Sequence, residues 1–287
     1  MELADATIAI MGLGLMGGSL ALALKGKCCS LRGMDVDAET LAYATDRGIV
    51  DIASSDLESI LAGVDVLILA MPVGQIVRFI QDLPKVYSGK IMLMDLGSTK
   101  ADIVNAMSKL PKRFDVLGGH PMCGKEKLGI QNADPTMFSN APFAFTKLEN
   151  TSPKAVDFAN QLVAAIGANP LWISGEIHDA WTAATSHFPY LISTLLARVT
   201  PAAARPLIGS GYRSATRLAG TPASLMLDVC LSNHENILAA FDHFVAEMQQ
   251  LRELLAAQDA DALRVWMDKA ATHQNHLLGQ STHESHH

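Results

Sequence analysis

Two short segments carry side chains suited to chemistry. Asp95-Leu96-Gly97-Ser98-Thr99-Lys100 offers a small hydroxyl, and Gly118-Gly119-His120-Pro121-Met122-Cys123-Gly124-Lys125-Glu126 offers an imidazole. Each follows an apolar stretch that reads as a strand, so both are expected at strand ends, where open α/β sheets bind their ligands. A hydroxyl and an imidazole converging there suit polarisation of a substrate hydroxyl while hydride is removed. Histidine, with a reference pKa of about 6.5, is the natural proton acceptor near neutral pH. Gly118 and Gly119 permit close backbone approach and Pro121 stiffens the turn, so His120 reads as catalytic rather than structural. Lys100 either orients the loop after Ser98 or is solvated.

Hydride removal needs an acceptor, and the first segment of the chain supplies a place for one. Gly12-Leu13-Gly14-Leu15-Met16-Gly17 is a GxGxxG run between a predicted strand at 7–11 and a predicted helix at about 17–25. Strand before, helix after and an acid further on is the context a dinucleotide fingerprint requires. Gly12 permits the tight turn, Gly14 lets backbone approach a pyrophosphate, and Gly17 lets helix and strand pack closely. The helix N-terminus adds free N–H groups and partial positive charge. Asp35, at the end of a second predicted strand at 30–34, is placed to bond the adenine ribose hydroxyls and to repel a 2′-phosphate. NAD is therefore expected; Arg32, which could pair with such a phosphate, leaves NADP open. Pro72 and Val73, after a further strand, fall where such folds cover the cofactor, and Ser98 lies at the same edge.

The elements that must position these groups follow from periodicity. Continuous apolar runs at 64–71, 90–96 and 115–119 read as strands buried on both faces, and 142–146 and 170–173 as late strands around a helix at 155–166. After Gly175 strand signals vanish. A helix is expected over 179–199, with Pro189 imposing a kink or break. Ile237, Phe241, Phe244, Met248, Leu251 and Leu255 form one apolar stripe on a long helix, and 260–278 reads as another. The fold class expected is α/β: a doubly wound Rossmann-type NAD-binding domain at 1–175, then an all-helical substrate and dimerisation domain at 176–287. Part of the long stripe would stay wet on one chain, so a homodimer is expected.

Composition narrows the class further. The 287 residues are 49% hydrophobic and 18% charged, with a net charge of −7. An acidic chain without a basic run is a poor nucleic-acid binder. Any acidic substrate must then be held by locally placed cations. Cys28, Cys29, Cys123 and Cys230 have neither metal-ligand nor disulfide spacing, which points to reduced thiols in the cytoplasm. Glu2 and Asp5 open the chain where a signal peptide would be basic. The glycines within the apolar run at 8–24 argue against a membrane span. The tail histidines His283, His286 and His287 could chelate a metal; a disordered end is the simpler reading, and no metal is expected.

In order and spacing, the runs at 12–19, 95–100 and 118–122 resemble the prephenate/arogenate dehydrogenase family. Ser186-His187-Phe188-Pro189 and Gly211-Tyr212-Arg213 with Thr216-Arg217 extend the resemblance into the helical part. It implies NAD-dependent oxidative decarboxylation of prephenate, or alternatively of arogenate. His120 would take the proton of the ring C4 hydroxyl, and Ser98 would orient that hydroxyl, the nicotinamide and His120. Arg217 would bind a substrate carboxylate and Glu126 would gate the pocket mouth. His187 would be structural or part of the site, and Arg213 a second anion contact or a solvated helix end. Tyr190 stands where many members carry a second histidine, Cys123-Gly124-Lys125 replaces Ala-Gly-Thr/Ser, and Ser214 replaces a common acid. These departures bear on substrate selectivity rather than reaction class. Some members carry a mutase or a regulatory module beside the dehydrogenase; with the first strand expected near residue 7 and little chain after the last predicted helix, neither is expected here. A 3-hydroxyacid dehydrogenase would need a glycine-rich lysine motif in the helical part, and a non-catalytic NAD(H) sensor would not need Ser98, His120 and Arg217 to converge.

Overall fold

The computed structural model describes residues 1–125 and 127–279. Its elements, in order, are β1 (Thr7–Met11), α1 (Leu15–Leu24), β2 (Ser30–Met34), α2 (Ala38–Asp46), β3 (Ile52–Ser54), α3 (Leu57–Leu61), β4 (Val66–Leu69), α4 (Val73–Val86), β5 (Ile91–Asp95), α5 (Ala101–Ser108), β6 (Phe114–Pro121), β7 (Pro142–Thr146), α6 (Pro153–Ile166) and β8 (Asn169–Trp172). Six helices follow: α7 (Gly175–Thr182), α8 (Phe188–Val199), α9 (Ser210–Ala215), α10 (Ala223–Ser232), α11 (His234–Ala257) and α12 (Ala260–Leu277).

The strands form one sheet in the order β3-β2-β1-β4-β5-β6-β7-β8. All neighbours are parallel except β6 and β7. Every residue of β4 and β5 is buried, because helices cover both faces of a parallel sheet and leave no polar side to the strand. Two apolar layers result. One joins Ile8, Ile10, Leu20 and Leu24 to Phe143, Phe158 and Leu162. The other joins Ala9, Leu67 and Leu69 to Ile76, Ile80, Ile103 and Phe114. The chain winds outward in both directions from β1 and β4, so the ends of these two strands flank the switch point where α/β sheets take a ligand.

Local chemistry sets the element ends. Ser152 caps α6 by accepting from the Ala155 N–H, Pro153 opens the first turn, and Gly167 ends the helix at φ 73°. Asp37 and Asp56 cap α2 and α3 in the same way. The stretch expected as a helix over 179–199, kinked or broken by Pro189, is divided into three pieces. α7 ends at Thr182, residues Ala183–His187 make a π-helical turn, and α8 begins at Phe188. Pro189 has no N–H to give to the preceding turn, and the Phe188 N–H reaches back to the Ala183 carbonyl, so the break falls before the proline.

The described residues form two compact units, one up to Ile237 and one from Leu238 onward. The helical segment after Gly175 as far as Ile237 thus belongs with the sheet. Side chains explain the attachment: Asp179 of α7 accepts the Lys100 and Ala101 N–H groups at 2.7 and 2.8 Å, and Asp228 of α10 accepts from the Gly74 N–H at 3.0 Å. The second unit holds the rest of α11 and α12, with Met248, Leu255 and Met267 about half exposed. Among the described residues no helix is long and apolar enough to cross a membrane.

Candidate active site

The nucleotide crevice is built by the turn after β1. Gly12 has φ +93°, and a β-carbon there would lie 2.5 Å from the Ala70 carbonyl oxygen. A β-carbon on Gly17 would meet the Gly12 carbonyl oxygen at 1.8 Å. Around Gly14 nothing lies within 4 Å, so that face is open. α1 starts at an N-cap, Gly14, that offers no side chain to its first N–H groups. They remain for an anionic ligand such as a pyrophosphate. Leu13 and Leu15 are buried, so their side chains serve the core and only their backbone can face a ligand, while Met16 is half-buried. Gly17→Ala is accordingly expected to cost folded protein, whereas Gly14→Ala should fold with a near-wild-type Tm and lose dinucleotide affinity. Equal thermal stability for both variants would contradict that division.

Asp35 sits over this turn. Its carboxylate accepts the Leu13 N–H at 2.8 Å and the Asp37 N–H at 3.0 Å, and each oxygen retains a lone pair for ribose hydroxyls. Arg32 turns away. Its guanidinium donates to the carbonyls of Ser59, Ile60 and Ala62 at 3.2, 3.1 and 2.6 Å, closing the end of α3. That engagement removes it from a 2′-phosphate beyond Asp35. Pro72 precedes α4, and the Val73 side chain is buried in the core, so Val73 can offer a ligand only its backbone.

Beside the crevice lies a cavity of about 550 Å³ whose lining includes Ser98, His120, Cys123, His187, Tyr190 and Arg217. Ser98 follows β5 and His120 ends β6, and the helical segment supplies the other wall: His187 from the π-helical turn, Tyr190 from α8, Arg217 from the 3-10 turn after α9. Five sequence-predicted residues therefore share one cleft. Arg213, exposed on α9, does not line it, and Glu126 lies outside the described residues. Lys125 lines the cavity and pairs with Asp134 at 2.7 Å.

A buried ion pair ties the two catalytic strand ends together. The Lys100 ammonium meets the Asp95 carboxylate, with both side chains fully buried, and also donates to the Gly119 carbonyl at 2.7 Å. Asp95 accepts the Gly97 N–H at 2.7 Å and the Gly119 N–H at 3.1 Å. Burial pushes the Asp95 carboxyl up and the Lys100 ammonium down, and their mutual attraction opposes both shifts. Lys100 is thus neither solvated nor a ligand contact. It locks the segment before Ser98 to the segment before His120.

Behind His120 stand two residues that sequence reasoning did not assign. His120 Nδ1 lies 2.8 Å from His178 Nε2, and His178 Nδ1 lies 2.7 Å from Asp179 Oδ1. His178 and Asp179 are both buried in α7. A His-Asp pair in a helix's first turns has no spacing signal linking it to a histidine on a distant strand. Burial, and after it the neighbouring basic side chains of His178, Lys100 and His187, hold the His120 imidazole well below 6.5. Burial brings His187 down to about 4, and its Nδ1 meets the Asn233 side-chain amide at 3.1 Å. His120 is therefore neutral and able to accept a proton at physiological pH. Burial raises the Cys123 thiol to about 11, which removes it as a nucleophile near neutrality.

A dinucleotide fingerprint at the switch point, beside a cleft bearing a hydroxyl, a neutral imidazole and a guanidinium, defines a dinucleotide-dependent oxidoreductase. Residues 20–171 match the family model described as prephenate dehydrogenase, nucleotide-binding domain, and residues 174–269 match prephenate dehydrogenase, dimerization domain. The prephenate dehydrogenase of Bacillus subtilis is 31% identical over 94% of this chain and 76% of its own length. An arogenate dehydrogenase structure from Synechocystis superposes with TM-score 0.82 at 26% identity, covering 94% of this chain and 99% of the other. A prephenate dehydrogenase from A. aeolicus, solved with hydroxyphenyl propionate and NAD+, shares the fold at TM-score 0.88 and 24% identity, covering 96% and 100%. The chain belongs to the prephenate dehydrogenase family.

Proposed function

We propose that this protein catalyses the NAD-dependent oxidative decarboxylation of prephenate to 4-hydroxyphenylpyruvate, a step towards tyrosine. The observation that carries this reading is the single cleft shared by Ser98, His120 and Arg217 beside the Gly12–Gly17 turn. Gly12, Leu13, Gly14, Leu15, Met16 and Gly17, with Asp35, Pro72, Val73 and Ser98, would hold the cofactor. Its open glycine face, uncapped helix N-terminus and acid fit a dinucleotide without a 2′-phosphate. When bound, NAD+ supplies the hydride acceptor.

The chain's own residues do the rest. Arg217 offers a fork that can bind a substrate carboxylate in two places, with His187 and Tyr190 shaping the wall beside it. Ser98 orients the ring hydroxyl towards His120, which takes its proton as the C4 hydrogen leaves with its bonding electron pair as hydride. Loss of the ring carboxylate as CO2 returns an electron pair to the ring, and aromatisation leaves an oxygen that takes the proton back from His120. Because aromatisation drives the step, the protein mainly orients the substrate and manages one proton.

The second reading is arogenate, favoured by Tyr190 and by the arogenate dehydrogenase among the similar structures. We also propose that residues 1–175 serve the cofactor, and that 176–287 serve substrate and the contact of a cytoplasmic homodimer. Support comes from the description of the second family model and from the exposed apolar side chains of α11 and α12. Steady-state NAD+ and NADP+ reduction with prephenate and then arogenate, on protein whose mass in solution is measured alongside, tests all of this. Turnover of prephenate with NAD+ by a dimer is expected. Absence of turnover with either acid would end the proposal, and a monomer would end its assembly clause.

A further inference from the structure

We propose that His178 and Asp179 are positioning residues that act through His120: they fix which of its nitrogens is bare and share the positive charge it acquires. The inference deepens the reading above and rests on it for the identity of the substrate. For a neutral His178 the geometry sets the direction of each bond. A carboxylate only accepts, so the proton between His178 and Asp179 lies on His178 Nδ1. A neutral imidazole with Nδ1 protonated has a bare Nε2, and that atom faces His120 Nδ1 at 2.8 Å. His120 must therefore donate from Nδ1, which leaves its Nε2 bare for the cavity it lines.

The anchor of this chain is itself fixed. Asp179 Oδ1 accepts the Lys100 N–H at 2.7 Å and Oδ2 the Ala101 N–H at 2.8 Å, at the start of α5. These donors turn the carboxylate and place it at the positive end of a helix. The same backbone follows Ser98 and the Lys100 side chain that reaches Gly119, so acid, hydroxyl and base are tied to one short segment. When His120 Nε2 takes the substrate proton, its Nδ1 proton can shift towards His178 Nε2, bringing positive charge next to Asp179. No atom is gained or lost, and the shift reverses when the proton returns to the product oxygen. The logic matches a buried acid orienting a catalytic histidine, with one more imidazole between them.

Besides His178 and Asp179, the titratable groups around His120 among the described residues are Lys100 after β5 with its partner Asp95, and His187 from the π-helical turn, with Cys123, Lys125, Tyr190 and Arg217 across the cavity. Of the two buried carboxylates, Asp95 is neutralised by Lys100, and Asp179 is the one that a chain of hydrogen bonds joins to His120. Its removal should make His120 harder to protonate.

Nitrogen-15 ring NMR of the ligand-free protein reads the chain without turnover. His120 should appear protonated at Nδ1 and bare at Nε2. In Asp179→Asn the amide can present its N–H to His178 and reverse the order, so kcat should fall roughly 10²–10⁴-fold. The acid limb of kcat/KM should move to lower pH. Because that variant also weakens the cap of α5, His178→Phe is the companion. It leaves Asp179 on its two backbone donors and should lower kcat at least tenfold with NAD affinity and Tm near wild type. A purely structural role would change Tm and leave the tautomer and the acid limb in place. The proposal is overturned if wild-type His120 carries its proton on Nε2, or if both variants keep kcat within threefold. A wild-type protein inactive on both acids would sink the substrate reading alone, since the NMR result stands without it.

Discussion

Replacing His120 by asparagine is expected to lower kcat by roughly 10²–10⁴-fold while leaving NAD affinity nearly unchanged. Asparagine keeps a polar group at the end of β6 but cannot take a proton, and the Gly12–Gly17 turn that would hold the cofactor is built from other strands. The pH profile gives an independent check. Burial and three nearby basic side chains depress the His120 imidazole, so proton acceptance should persist well below pH 6.5. In the wild-type protein the acid limb of kcat/KM, which reports the free enzyme, should lie below that value, and it should vanish in the variant. Near-normal turnover by His120→Asn would remove the residue from its role.

The second large effect concerns stability. Lys100→Ala leaves the Asp95 carboxylate buried without its counter-ion, and breaking such a pair typically costs roughly 3–5 kcal/mol. For a chain of this size that corresponds to a fall in Tm of roughly 6–20 °C. Replacing both partners, Asp95→Asn with Lys100→Met, removes the uncompensated charge and should recover much of the loss. Activity should not recover with it. The Gly119 carbonyl and N–H both bond to this pair, and Gly119 immediately precedes His120. Thermal unfolding of the three proteins beside their kcat values separates the two effects; an unchanged Tm for Lys100→Ala would show that the pair contributes nothing to folding.

What could be read in the amino acids follows from how local each signal is. Long apolar runs such as 66–69 and 91–95 announce buried parallel strands because both faces must be hydrophobic. Ser98 and His120 were legible because one follows such a strand and the other sits near the end of one. The segment between β2 and β4 was not read. β3 has three residues and no buried position, and α3 has only five, too little for a period to emerge. Whether Lys100 orients the loop after Ser98 or is solvated is decided only when the fold buries it against Asp95. Arg32 showed its direction only once α3 offered it three carbonyls. His178 and Asp179 were invisible for a different reason: their meaning lies in a contact across 58 positions of chain.

The π-helical turn at Ala183–His187 has a consequence for how such pockets diverge. An α-helix advances about 100° per residue, so the wide turn acts as a single inserted position that rotates everything after it by that angle. His178 and Asp179 precede the insertion and Tyr190 follows it. Loss of one codon in this stretch would restore a regular screw and swing a different side of α8 into the cleft, while the residues behind His120 kept their places. Substrate choice in this lineage can then drift through the length of a helix as well as through its lettering, without disturbing the machinery that moves the proton.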